Sequence, residues 1–561
     1  MFIHLTQDFF CKSWVTGTIK RVSIVWNAHQ VSAGLHEIEK ARPALFDRLK
    51  KLLDDYHGVV RSERYYDILL GDFVERYLHL VYVAMRDLKS EIESLAKFGS
   101  SEGSSESSSE DSSSKVNFQT IRTTLEFFSD YPKLPTLTIK TLHALTKFGI
   151  PGVLVSRDAI VIKNSVSGGR RDKIIMSLLR VLRSKKSARV LFVRPFSGRI
   201  PFSWIGAMAS WRSWAAHDEL QIKYSVEVSP DTEWRESKIF KIDEDSSLSE
   251  ISCALVSLYL PASLVEAFEP IRRLVVEARP SRPDHLYSSQ SLWTHIEFKI
   301  LAAEWCELGT KLHYHQHGGW YGLDDSHVGE QFECRVSDFY YTWGWSRGDK
   351  HTHVLSPLIN SPRSHKKSCD SLICFDQPQQ IYRLQYFPLP GTLQSMYEQV
   401  SEFVGIRESK TDLKIRMFPG DYGNAQRQAI VAAKPDAQFG NSGDIFDQYS
   451  VSRIVFHSYL GTSWLETLGI NTPTICFYDP DAYKFRSDAK PLIDALTQVG
   501  ILHTSGKSAA IHANKIDGDV QSWWLSTDVQ LARRNFTEKF ANFSTEWKSQ
   551  WHREFSELLK S

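Results

Sequence analysis

From about residue 38 to 97, apolar side chains recur three to four positions apart, through Leu69, Leu70, Phe73, Tyr77, Leu80 and Val81. That spacing predicts a helical start to the chain. It stops at Gly99-Ser100-Ser101-Glu102-Gly103 and a Ser/Glu run to Ser114, too polar to bury a face, so 99–115 reads as a disordered linker. Beyond it short apolar strands alternate with longer amphipathic segments, the pattern of a parallel sheet covered by helices on both faces. Arg189-Val190-Leu191-Phe192-Val193, Lys311-Leu312-His313-Tyr314-His315 and Phe339-Tyr340-Tyr341-Thr342-Trp343 are the candidate strands of a first unit, with a helix predicted over 292–308.

A Pro-, Ser-, His- and Lys-rich stretch at 356–369 separates this unit from a second that opens at Ser371-Leu372-Ile373-Cys374-Phe375. There, strands are predicted at 413–418, 452–458 and 473–478, with a helix at 463–468 completing a βαβ crossover. The division that follows is 1–98 helical, 99–115 linker, 116–355 first α/β domain, 356–369 linker, 370–528 second α/β domain and 529–561 helical tail packed across both. Its 561 residues are too many for one core, which agrees with two domains.

Charge narrows the partners. With 67 Lys+Arg against 66 Asp+Glu there is no net field to hold nucleic acid. Seven scattered cysteines without a Cys-x-x-Cys pair fit neither a disulfide framework nor a zinc knuckle, and a reducing cytoplasm is expected. The amino terminus lacks a signal-peptide pattern, and the apolar run at 77–85 is too short to span a bilayer, so any membrane association is expected to be peripheral.

Two loops concentrate the chemistry. The strand ending at His315 runs into Gln316-His317-Gly318-Gly319, which puts imidazoles and a glycine turn at the carboxyl end of a parallel strand, where α/β folds bind ligands. Histidine there can donate to phosphate or act as acid or base, and a hydrogen-bonded structural histidine explains the string equally well. Ser458-Tyr459-Leu460-Gly461-Thr462-Ser463 leads into the predicted helix. Ser463 and Glu466 have capping-box spacing, while the same helix start offers N–H groups to phosphate and Glu466 to ribose. Arg416, on an apolar strand before Pro419-Gly420-Asp421-Tyr422-Gly423, must be salt-bridged or face an anion. Glu297, Glu330 and Asp338 are the nearest carboxylates to the histidine loop. A His313/His315/His317 zinc site is disfavoured by strand geometry, and Asp479-Pro480-Asp481 reads as a turn. The dinucleotide, Walker and nucleophile-elbow motifs are absent. Trp320, Tyr321, Trp343, Trp345 and Trp523-Trp524 are the first places to look for sugar stacking or for core.

The strings His315 to Gly322, Ser337-Asp338 with Thr342-Trp343-Gly344-Trp345, Ser458 to Pro473, Val499-Gly500-Ile501-Leu502-His503 and Arg64 to Gly71 resemble a family of transferases encoded with bacterial surface-polysaccharide (O-antigen) genes. That family is similar to GT-B glycosyltransferases, including enzymes that use CMP-activated ulosonic acids such as Kdo. The resemblance spans most of the chain. It implies an α/β fold of GT-B type, with two Rossmann-like doubly wound domains facing a cleft, and transfer of a sugar from a nucleotide donor to a surface-glycan acceptor at the inner face of the cytoplasmic membrane. His317 and Glu297 are then the candidate catalytic residues; His315, Gln316, Gly318, Gly319, Tyr321, Arg416, Tyr422, Ser458, Thr462, Ser463 and Glu466 are the candidate substrate contacts. Neither cofactor nor metal is expected, the nucleotide sugar being a co-substrate. A nucleotide-sugar epimerase, a polyol-phosphate transferase and a non-catalytic glycan-binding protein are the alternatives. The chain departs from the family in lacking a recognisable first strand before Trp26 and in the Ser/Glu insertion.

Overall fold

The computed structural model describes residues 28–99 and, with interruptions of which the longest are 165–173, 180–187, 196–200, 360–365, 377–392 and 419–425, residues 154–560; Asn117–Phe118 is also described. The predicted linker, the segment before Trp26 and Tyr422 lie outside the described residues.

The helical start consists of α1 (Ala28–His57) and α2 (Glu63–Gly99) packed on each other. The apolar stripe read from the sequence is their buried face, with Leu69, Leu70, Phe73, Tyr77 and Val81 at 0–1% exposure. This pair covers α3 (Leu248–Tyr259) and α4 (Ile296–Glu307) of the first domain. Lys299 on α4 donates 2.6 Å to Asp72 on α2, and both are fully buried. Removing one partner would strand the other charge in the core, at a cost of about 3–5 kcal/mol. Contact with α5 (Val328–Val336) is close enough that a Cβ at Gly71 would fall 2.0 Å from the Phe332 ring.

Two six-stranded parallel sheets form the body. The first contains β1 (Val190–Phe192), β2 (Ala215–His217), β3 (His285–Ser288), β4 (Lys311–His315), β5 (Phe339–Thr342) and β6 (Thr352–Val354), in the spatial order 2-1-3-4-5-6. The second contains β7 (Cys369–Ile373), β8 (Leu413–Arg416), β9 (Gln438–Phe439), β10 (Ser452–His457), β11 (Thr474–Phe477) and β12 (Leu502–His503), in the order 9-8-7-10-11-12. Both are doubly wound, with central strands such as β1, β3, β7 and β11 buried on both faces, while the edge strands β6 and β9 stay partly exposed. The helix predicted over 292–308 is instead two: Ser291–Thr294, then α4, divided at His295, whose extended backbone (φ −128°, ψ 104°) cannot continue a helix.

The tail divides its packing between the domains. Helix α6 (Thr462–Gly469) and α7 (Lys490–Gln498) of the second domain receive α8 (Thr527–Phe540), with Trp464 and Phe536 ring centres 5.0 Å apart. The chain then returns to the first sheet, where Trp551 and Phe555 of α9 (Trp547–Leu558) sit on Phe192 and Tyr287, and Trp551 Nε1 donates 2.8 Å to Ser356 O. Each buried aromatic there contributes about 1.5–3 kcal/mol. No described helix is long and apolar enough to cross a membrane.

Candidate functional site

The carboxyl ends of β4 and β10 deliver the two loops to one place. A Cβ at Gly319 would lie 2.3 Å from Gly461 O and 2.8 Å from Thr462 N, so backbone meets backbone and only glycine fits. Around this contact the domains are sewn together. Trp320 stacks on Tyr483 with centres 4.5 Å apart, Asp324 bridges Phe485, and Glu330 binds Arg347 and, at 3.5 Å, Arg486.

Within the histidine loop the roles separate. His315 Nε2 lies 3.1 Å from the Leu355 carbonyl, which only accepts, so Nε2 carries the proton and Nδ1 accepts from the Tyr287 hydroxyl at 2.6 Å. Burial pushes its pKa down to about 3. With both nitrogens committed, His315 is a structural residue rather than a ligand contact. Gln316 is structural too: its oxygen accepts from Trp343 N (3.0 Å) and Trp345 Nε1 (2.8 Å), and its amide donates 2.9 Å to Gly318 O. This lock shapes the turn that presents His317.

His317 keeps an open side, its side chain 22% exposed. Its ring lies against the Tyr321 hydroxyl, 3.2 Å from Nδ1, and that hydroxyl donates 2.9 Å to Glu333. Glu333 Oε1 is itself 3.8 Å from His317 Nδ1. The Glu333 carboxyl is fully buried and also receives Trp293 Nε1 (2.6 Å) and the Tyr340 hydroxyl (2.9 Å). Burial drives it up to about 8 against those three donors, and lowers His317 to about 4, leaving a neutral imidazole at pH 7. Tyr321 therefore supports the histidine instead of lining an open face.

The carboxylates nominated from the sequence take three separate positions. Glu297 is buried at the start of α4, where it accepts 2.7 Å from the Tyr224 hydroxyl and has His295 at 4.0 Å. Asp338 precedes β5, on the amino-terminal edge of the sheet, bound to Arg64 (2.5 Å) and Leu312 N (2.8 Å). Glu330 accepts 2.6 Å from Gly322 N as well as holding the two arginines. Glu333 was missed. Its signal was the three-residue spacing from Glu330 on a helix whose Val328, Phe332 and Val336 share the buried side.

In the second loop the capping box is not formed. Helix α6 begins at Thr462, one position earlier than predicted, with Gly461 as an N-cap that supplies no side-chain bond. Ser463 is thereby drawn inside the helix, where its hydroxyl pairs with His457 Nδ1 at 3.1 Å. His457 Nε2 meets Thr467 Oγ1 at 3.0 Å, and burial lowers this histidine to about 3. Glu466 accepts 3.0 Å from the Tyr449 hydroxyl, and burial raises it to about 7. Ser458 ties β10 to β7 through Ile373 O, by N at 3.2 Å and Oγ at 3.4 Å. The first N–H groups of α6 are left without a side-chain cap, facing the Gly319 turn. Arg416, at the end of β8, binds Gln448 Oε1 (3.2 Å) and Gly443 O (3.1 Å); among the described residues no carboxylate comes within ion-pair distance. Trp343, Trp345 and Trp524 are core residues, and Asp479 caps its own turn by accepting from Asp481 N at 3.0 Å.

Two doubly wound domains with opposed carboxyl sheet edges, and a terminal helix that returns from the second to the first, define the GT-B type of architecture. The chain belongs to the LIC12162 family of transferases, whose model matches residues 4–555. No curated protein matches it. Among solved structures it is similar to Anabaena HepE in complex with UDP and glucose, at 12% identity over 66% of this chain and 99% of that one, with a TM-score of 0.38. A UDP-N-acetylglucosamine 2-epimerase (11%, 67% and 97%, TM-score 0.36) and a spinosyn rhamnosyltransferase complexed with spinosyn aglycone (10%, 66% and 100%, TM-score 0.34) are similarly distant.

Proposed function

We propose that this transferase moves a sugar from a nucleotide donor to a glycan acceptor in the cleft between the two domains, without a metal. The observation that carries the reading is the juxtaposition of the uncapped α6 amino terminus with the turn bearing His317. A helix start whose N–H groups meet no side chain attracts phosphate, and its dipole stabilises the charge that develops on a departing diphosphate or monophosphate. Thr462 and Ser463 stand beside that phosphate, Glu466 beside the ribose, and Arg416 is a further anion partner.

Neutral His317 is the base. It takes the proton of the acceptor hydroxyl as the acceptor oxygen bonds to the anomeric carbon, while the bond from that carbon to the phosphate oxygen breaks and its electron pair leaves on the nucleotide. Tyr321 and Glu333 behind the ring hold it in place. A CMP-activated ulosonic acid is our candidate donor and a bacterial surface glycan our candidate acceptor, with the protein peripheral to the cytoplasmic membrane.

Thermal unfolding of the full chain in the presence of CMP, CDP, UDP and GDP tests the nucleotide site, since a ligand bound only by the native state raises the midpoint. One nucleotide should do so and the others should not. Absence of any shift at millimolar nucleotide would sink the reading in favour of a non-catalytic glycan binder. Incubation of the donor alone in heavy water separates transfer from epimerisation, which would exchange a sugar proton for deuterium.

A further inference from the structure

In the second sheet the reactive loop follows β10, which flanks the point where strand order reverses. The first sheet reverses between β1 and β3, one strand away from the histidine loop. Connections leave those two strands toward opposite sides, which opens a crevice between their carboxyl ends. Arg194 stands there, immediately after β1.

Its backbone is in the left-handed region (φ 45°), as is that of Leu220 (φ 48°) after the neighbouring β2; Asn471 is the one other non-glycine residue so placed among the described residues. Such conformations persist where the surroundings impose them. Here Ser289, after β3, donates to Arg194 O from its N (3.3 Å) and its Oγ (3.0 Å). The side chain is aimed by a relay. Trp204 Nε1 donates 3.1 Å to His217 Nδ1, which places the imidazole proton on Nε2, 2.9 Å from Glu219 Oε1. Glu219 Oε2 accepts from Arg194 Nε at 3.3 Å.

The relay engages the guanidinium through Nε alone. Its two terminal nitrogens take no partner among the described residues, on a side chain 37% exposed. The adjoining sequence Pro195-Phe196-Ser197-Gly198-Arg199-Ile200 contains no carboxylate to occupy them. His295 beside it is held neutral, down to about 4, by burial and then by the Arg194 charge, so it does not compete as a cation. A planar fork with two outward N–H pairs is matched by an oxyanion.

We propose that Arg194 is the anchor of an anion subsite in the first domain, gripping a phosphate or carboxylate carried by the acceptor. This rests on the transfer reading, with the nucleotide held in the second domain. The test titrates the full chain with inorganic phosphate and, separately, acetate, with saturating nucleotide present so that the α6 site is filled, and follows the thermal midpoint. Phosphate, acetate or both should raise the wild-type midpoint, and which does so names the group. Arg194→Gln should weaken that response about tenfold, the loss of a charged hydrogen-bonded pair. Arg194→Lys, which keeps the charge but not the fork and guards against a variant that fails to fold, should recover it only in part. The midpoint shift caused by nucleotide should be equal in all three proteins. A wild type that responds to neither anion, or an Arg194→Gln response equal to wild type, overturns the subsite. A missing nucleotide shift instead overturns the function above, and the anion comparison still reads out without nucleotide.

Discussion

The two domains use the same sheet architecture and place their chemistry differently. In the second, the polar loop of Ser458 to Thr462 follows β10 at the reversal of strand order, and Ser458 binds Ile373 O across that reversal. In the first, the histidine loop follows β4, beside the reversal, which belongs to Arg194 and Ser289. The comparison teaches that a polar string after a strand marks the active edge of a sheet, while strand order decides which loop lies in the crevice. It also separates two kinds of histidine. His315 and His457 have both nitrogens committed within the protein, whereas His317 retains a solvent-facing side.

The sharpest way to break this contrast is replacement of the histidines. His317→Ala should lower the transfer rate by about 10²–10⁴-fold at saturating donor, the range for loss of a general base, with nucleotide binding unchanged. A variant transferring at wild-type rate would return His317 to the structural class of His315.

Next in size is the pH dependence of folding that Glu333 imposes. Its folded pKa is raised to about 8, so the unfolded chain ionises first as pH rises above about 4.5. The stabilisation is complete below that value and is lost as pH climbs through 8. Denaturant titrations from pH 5 to 8 should show wild type losing on the order of a few kcal/mol relative to Glu333→Gln. Parallel curves would mean that the carboxyl is ionised in the fold.

Gly319→Ala tests the seam. The added Cβ meets Gly461 backbone at 2.3 Å, so the loops must part, at a cost of about 1–3 kcal/mol and with loss of the nucleotide-induced midpoint shift. Unchanged stability and nucleotide response would show that the loops do not depend on this approach. The smallest effect is Ser463→Ala, expected to destabilise by about 1 kcal/mol through the His457 hydrogen bond. In a His457→Phe background the same change should cost much less; an unchanged cost would point back to capping.

Much of the fold was legible because it is local. Periodicity located the helices of the amino-terminal part and the strands at 190–192, 311–315, 339–342 and 452–457, since a buried strand or an amphipathic stripe is written in consecutive residues. Errors fell where neighbours in space override neighbours in sequence. The capping-box spacing of Ser463 and Glu466 was real, but Gly461 and the contact with Gly319 start α6 one residue early and hand Ser463 to His457.

The sequence by itself determined that this is a two-domain α/β transferase with a histidine-glycine turn at one sheet edge and a hydroxyl-rich helix start at another. Tertiary structure alone decided which of those groups retain chemistry. Whether a histidine is a base or a strut, whether a carboxylate such as Glu333 is pushed toward neutral pH, and whether Arg194 stands in a crevice all depend on partners distant in sequence. Strand order and burial set those partners, and spacing along the chain encodes neither.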